Sequence, residues 1–214
     1  MKRFPGMFAI LSLLLLAQQS AQAGVVTGSV SLDTSALAGT YEIAFVFTDG
    51  SGAGDANNTV TLSDFLFGAG GSPGTVDASL SAGGVGGDLA SGASLIDSAF
   101  LNIFASSFTP GSVLSFDFAL TTNVDPGGTP DQLSMVLLGG DGTPVASTDP
   151  SGADSLLTVD IDSTDPVFAT FASDLTPAPI VTEATTVPEP PSLVLLIMAF
   201  GLLLSERRRA SAGR

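Results

Sequence analysis

Residues 113–122 read Val-Leu-Ser-Phe-Asp-Phe-Ala-Leu-Thr-Thr. Leu114, Phe116, Phe118 and Leu120 alternate with Ser115, Asp117, Ala119 and Thr121, a period of two that gives an extended chain one apolar face and one polar face. The same alternation recurs outward from this stretch. Tyr41, Ile43, Phe45 and Phe47 flank Glu42 and Ala44; Leu133, Met135 and Leu137 repeat the spacing; Leu157, Val159 and Ile161 stand against Thr158 and Asp160. Shorter β signals cover Val25–Leu32, Thr59–Phe67, Val76–Ser81 and Val167–Phe171. Turn clusters punctuate these runs at 49–52, 70–74, 125–128, 139–142 and 149–152, where Gly supplies positive φ and Pro presets the bend. Many short strands with such punctuation predict an all-β domain, a β-sandwich or jelly roll. In Leu95–Phe104, apolar residues at 95, 96, 99, 100, 103 and 104 have helical spacing, so a short helix across the sandwich competes with a strand buried on both faces; a strand is the preferred reading.

The 214-residue chain has no His, no Cys, no Trp and a single Tyr. Without histidine there is no imidazole general base and no Ser-His-Asp triad. Without cysteine there is no thiol nucleophile, disulfide or thiolate metal site. All six basic residues lie at the two ends: Lys2, Arg3, Arg207, Arg208, Arg209 and Arg214. Of the 21 acids only Glu189 and Glu206 fall outside 24–187, so 21 − 2 leaves 19 negative charges there and no Lys or Arg. Nucleic acid is excluded as a partner, because phosphate binding rests on Lys and Arg. A field of one sign favours solubility at a cost in self-repulsion, which divalent cations could relieve.

Residues 1–23 have the form of a secretory signal peptide. Lys2 and Arg3 precede the apolar run Met7–Ala17, and Ala21 and Ala23 give the small-x-small pattern that places signal-peptidase cleavage between Ala23 and Gly24. Eleven apolar residues are too few for a comfortable bilayer span. Residues 24–174 form the expected β domain, and 175–187, Pro- and Thr-rich without periodicity, are expected to be an extended linker. Residues 188–214 then bring Pro188, Glu189 and Pro190, an apolar run from Leu193 to Leu204, and Arg207, Arg208 and Arg209. Arginines beside an apolar helix stay on the cytoplasmic side, so this single C-terminal helix points inward while the domain lies outside. Twelve residues rise roughly 18 Å as a helix, and snorkelling arginines narrow the gap to a bilayer core of about 30 Å.

This order of Pro-Glu-Pro, apolar helix and arginine cluster behind a signal peptide resembles the PEP-CTERM sorting signal of exported bacterial proteins. The resemblance implies recognition and processing by exosortase, a membrane-embedded cysteine protease, with delivery to the cell surface or extracellular matrix. Carried over, Pro188, Glu189 and Pro190 are the recognition residues, Leu193–Leu204 the transient membrane anchor, and Arg207–Arg209 the cytoplasmic stop. It further implies an inner-membrane intermediate in a Gram-negative-type bacterium and surroundings such as a biofilm matrix. The stretches at 39–47, 54–65, 108–118 and 123–135 resemble a recurrent group of these proteins as well.

Candidate ligand sites in the domain are few. Asp160, Asp162 and Asp165 place three carboxylates in six residues at a strand end, with Asp160 and Asp162 expected on one face about 7 Å apart. Calcium takes several hard oxygen ligands, and the loop from Asp125 to Asp131 could add more; the competing reading is an Asp-rich turn without metal. Residues 83–90, Gly-Gly-Val-Gly-Gly-Asp-Leu-Ala, approach the calcium β-roll nonapeptide, but that motif works only as stacked copies. A flexible Gly-rich loop is the expectation there. Asn57-Asn58-Thr59 has the form of a glycosylation sequon and is expected to be a turn.

The sequence therefore favours an exported structural or adhesive surface protein. A calcium-dependent carbohydrate-binding module that holds exopolysaccharide is the alternative. A carboxylate-based hydrolase comes third, because the Arg, His and aromatic partners of such sites are missing. No catalytic residue is assigned. Trypsin, which cuts beside Lys and Arg, is expected to leave 24–187 intact even when denatured; internal cuts in the digest's mass spectrum would contradict this.

Overall fold

The structure is a computed structural model, and it describes residues 24–124, 129–163 and 165–188. Twelve strands are present among them: β1 (Gly24–Asp33), β2 (Tyr41–Thr48), β3 (Thr59–Leu66), β4 (Ser72–Val76), β5 (Gly84–Asp88), β6 (Gly92–Ile96), β7 (Leu101–Thr109), β8 (Val113–Thr121), β9 (Asp131–Leu138), β10 (Ser155–Ile161), β11 (Val167–Thr170) and β12 (Ile180–Pro188). They form two six-stranded sheets, ordered β12-β1-β8-β3-β6-β5 and β11-β10-β9-β2-β7-β4, with every pairing antiparallel. The expected all-β sandwich is thus what the described residues form. The signal peptide and the C-terminal apolar helix lie outside them.

The alternation in β8 sets the inner face of the first sheet. Leu114, Phe116, Phe118 and Leu120 are buried, and Asp117 between them is exposed. β2 and β9 do the same for the second sheet through Ile43, Phe45, Phe47, Leu133, Met135 and Leu137. Aromatic contacts bridge the two layers: Phe45 meets Phe116 edge-on with centroids 5.2 Å apart, and Phe118 meets Phe168 at 5.6 Å. Such pairs add to the area buried and fix how the sheets face each other.

Four segments depart from the sequence expectations. Leu95–Phe104 is neither a helix nor one strand. It contains the end of β6 and the start of β7, which lie in opposite sheets, and Asp97–Phe100 crosses between them. The apolar pair at 95–96 therefore belongs to β6, the pair at 103–104 to β7, and Ala99 and Phe100 to the crossover between them. The Gly-rich stretch at 83–90 is not a loop but the edge strand β5, paired along its length to β6, with Asp88 Oδ1 accepting from the Ala90 and Ser91 amides in the turn between them. The strand expected at Val76–Ser81 ends at Val76, because Asp77 accepts from the Ser79 and Leu80 amides and turns the chain.

The expected linker at 175–187 is corrected most. From Ile180 to Pro188 the chain is β12, in register with β1 from Gly24↔Pro188 to Ser31↔Ile180. The physical reason is that β1 would otherwise show its outer backbone edge to solvent, and Ile180, Val181 and Thr182 are β-branched residues suited to a strand. Pro177 and Pro179 stand just before it, where they cost no ladder bond. The folded domain accordingly extends to 188.

Phe45 is fully buried at the centre of these contacts. Phe45→Ala should cost about 3–5 kcal/mol in urea unfolding; a loss below about 1 kcal/mol would mean the two sheets do not interlock through this ring.

Candidate functional site

One end of the sandwich gathers most of the buried polar groups. The register shows why. β1 begins there, Val25 pairs with Thr121 near the end of β8, Thr48 at the end of β2 pairs with both Leu101 and Gln132, and Ile161 at the end of β10 pairs with Asp131. The 49–58 loop, the 97–100 crossover, the residues after β8 and the entry to β9 all meet at that end.

Asp97 and Asp131, from the crossover and from the first position of β9, are its centre. They are 0% and 4% exposed. Both Asp97 carboxyl oxygens accept from the Asn58 amide at 3.1 and 3.0 Å. Asp131 Oδ1 accepts from the Gly50 amide at 2.8 Å, and Oδ2 accepts from Asn58 Nδ2 at 2.7 Å. Asn58 Nδ2 also donates to the Asn123 carbonyl, and Asn58 Oδ1 accepts from the Asn123 amide, so one buried asparagine joins four segments. Gly50 must be glycine: a Cβ there would lie 1.9 Å from the Thr129 carbonyl oxygen. Asp49, also buried, turns its Oδ1 onto the Ser51 and Gly52 amides and its Oδ2 onto the Gly54 amide.

The Asp131 carboxyl lies beside that of Asp97, and this neighbouring acid disfavours the ionised form of Asp97. Burial pushes the Asp97 pKa up to about 7; the Asn58 amide opposes this, while Asp131 and the charge of Asp55 reinforce it. Asp49 behaves oppositely: burial works to raise its pKa, but bonds from Ser51, Gly54 and Gly52 outweigh it and hold it below the usual carboxylate range.

Of the expected calcium ligands, Asp131, Asp160, Asp162 and Asp165 are among the described residues, and they do not converge as one group. Asp131 faces inward to Asp97, whereas Asp160, one register position along on β10, faces outward and accepts from Gln132 Nε2 at 2.6 Å. Asp162 lies beyond the end of β10, so it does not share the strand face of Asp160; it is exposed, as is Asp165. Asp162 and Asp131 do line one small cavity together, with Asn123 and Thr129. Asp125 lies outside the described residues, and among those described no three carboxylates converge as a metal site. At the sequon, Asn57 Nδ2 donates to Asp55 Oδ2 at 3.0 Å while Asn58 is buried. Of the terminal signals, Gly24 and Pro188 are described and are register partners; Ala21, Ala23, Glu189, Pro190, Arg207, Arg208 and Arg209 lie outside.

A second carboxyl pair sits at the opposite end, beside Tyr41 in a shallow hollow. Glu42 is raised by partial burial and by the neighbouring Asp77, and Asp77 is lowered, first by its bonds from Ser79.

The Asp97–Asp131 pair had a sequence signal that went unused. Extending the β9 alternation back from Leu133 puts Asp131 on the buried face. No known protein family, characterised protein or solved structure matches this chain.

Asp97 gives the domain a defined pH response. Its folded pKa lies above the ordinary aspartate value of 3.8, so between about 4 and 7 the folded state holds a proton that the unfolded chain has released. Stability from this group therefore falls as pH rises through that window and levels off above it. Asp97→Asn, which mimics the protonated carboxyl, should raise Tm at pH 8 and flatten the decline between pH 5 and 8. An unchanged slope in the variant's melts would contradict the raised pKa of Asp97.

Proposed function

We propose that this chain is an exported protein of the bacterial cell surface or extracellular matrix, with a structural or adhesive role. It is cleaved by signal peptidase after Ala23 and processed at its C-terminus by an exosortase-type membrane protease. The observation that carries this reading is the ordered C-terminal series behind an N-terminal leader: Pro188-Glu189-Pro190, the apolar run Leu193–Leu204, and Arg207–Arg209. The apolar run serves as a transient anchor in the inner membrane.

Several features of the domain support it. The strands run from Gly24 to Pro188 and so occupy the interval between the two terminal signals. The buried acids Asp49, Asp97, Asp131 and Asp149 accept from turn amides and from Asn58, which suits a structural module better than a reaction site. Phe45, Phe47, Phe104 and Phe108 are fully buried, so these rings are committed to the core and unavailable as sugar platforms.

Material recovered from the surface should have an intact mass lacking residues 1–23 and everything after the Pro-Glu-Pro motif. A surface form that retained Arg207–Arg214 would overturn C-terminal processing.

A further inference from the structure

The two places where the terminal signals join the domain are paired with each other. Gly24, the first residue after the expected leader cleavage, is the register partner of Pro188, the first residue of the sorting motif. Across an antiparallel pair the Cα atoms are about 4.5–5.5 Å apart. Gly24 is itself held in place: its N–H donates to Thr122 Oγ1 at 3.1 Å, and its carbonyl accepts from the Thr122 amide at 3.0 Å. Its strand neighbour Gly28 lets β12 come close, since a Cβ there would lie 2.5 Å from the Thr182 carbonyl oxygen.

We propose that β12 is a clasp that controls C-terminal processing: while it is zipped to β1 the sorting motif is withheld from the membrane protease, and it is released by local opening of this one edge strand. The inference rests on the sorting reading above. With β12 paired, only the chain between Pro188 and Leu193 separates the domain from the apolar run, about 17 Å at full extension. With β12 open to Ile180, the reach grows to about 45 Å. A protease that takes an extended substrate strand needs the backbone groups that β1 now occupies, so cleavage follows the population of the open form. β12 is suited to such opening. It is the last strand in sequence, it lies at a sheet edge with β1 as its sole partner, and Ile180 at its start is 69% exposed.

The chain has no cysteine, so a designed disulfide reports on the pairing without competition. Thr27 and Ala184 are register partners, whereas Ile180 is the partner of Ser31, four residues further along β1. In the full-length exported chain, Thr27→Cys with Ala184→Cys should cross-link, and Thr27→Cys with Ile180→Cys should not. The cross-linked form should accumulate with Arg207–Arg214 still attached, and reductant should restore the shortened mass. Val181 packs against the core, so Val181→Gly should loosen the strand and speed shortening severalfold. Equal cross-linking of both pairs, or shortening of the cross-linked chain at the wild-type rate, overturns the clasp. A wild-type chain that is never shortened overturns the sorting reading, and the clasp's role in processing with it; the cross-linking result is obtained separately and still judges the strand pairing.

Discussion

The whole domain depends on placing carboxylates where no cation can answer them. Between 24 and 187 there is no Lys or Arg, so every acid must find N–H or O–H donors, share a proton or face water. Several are used to close turns. Asp33 accepts from the Ser35 amide and hydroxyl, Asp77 and Asp88 do the same with Ser79 and Ser91, Asp141 accepts from the Thr143 amide, and Asp149 from the Ser151 and Ser155 amides. These bonds favour the charged form and hold all five below the usual carboxylate range, in the case of Asp149 against the opposing effect of burial. This geometry also accounts for the choice of acid. Of the 19 acids in the window only Glu42 and Glu183 are glutamates, because the shorter side chain reaches its own backbone two residues on.

That use of Asp explains which parts of the fold were legible in the sequence. Strands β2, β8, β9 and β10 announce themselves because one face is apolar and the other is not, and the Asp-x-Ser turns between strands are local chemistry. The missed elements lack one or the other signal. β5 has three glycines in five residues, so there is no side-chain periodicity to see, and its identity comes from pairing with β6. β12 follows Pro177 and Pro179 and mixes Thr, Val and Glu; what makes it a strand is the open edge of β1, a property of the tertiary structure.

The site was legible only in fragments. Asp131 was visible, but as a loop oxygen beside Asp160 and Asp162. A one-residue difference in register turns a strand side chain to the opposite face, and that is what separates Asp131 from Asp160. Asp97 was hidden because Leu95–Phe104 looked like one element. Once the segment is divided between two sheets, Asp97 falls at the corner, where the chain must bury a polar residue while changing layers. Asn58 answers it with its backbone N–H and turns its side-chain amide to Asp131 and Asn123, which is why a single asparagine holds that end together.

The acidic end and the clasp are the same end of the molecule, and this has an electrostatic consequence. Gly24 and Pro188 lie on the side of the sandwich that carries Asp49, Asp55, Asp97, Asp131, Asp162 and Asp165, as the register of β1, β8, β3 and β9 requires. On the proposed sorting route, a domain held there by about 17 Å of chain would present that end to a membrane surface. Anionic headgroups repel like charge over a Debye length of about 8–10 Å at ordinary salt. Burial, which raises the Asp97 pKa, lessens the negative charge at that end as pH falls below about 7. The buried polar cluster thus does two things: through Asn58 it ties four segments of the fold together, and it moderates the charge at the end where Gly24 and Pro188 pair.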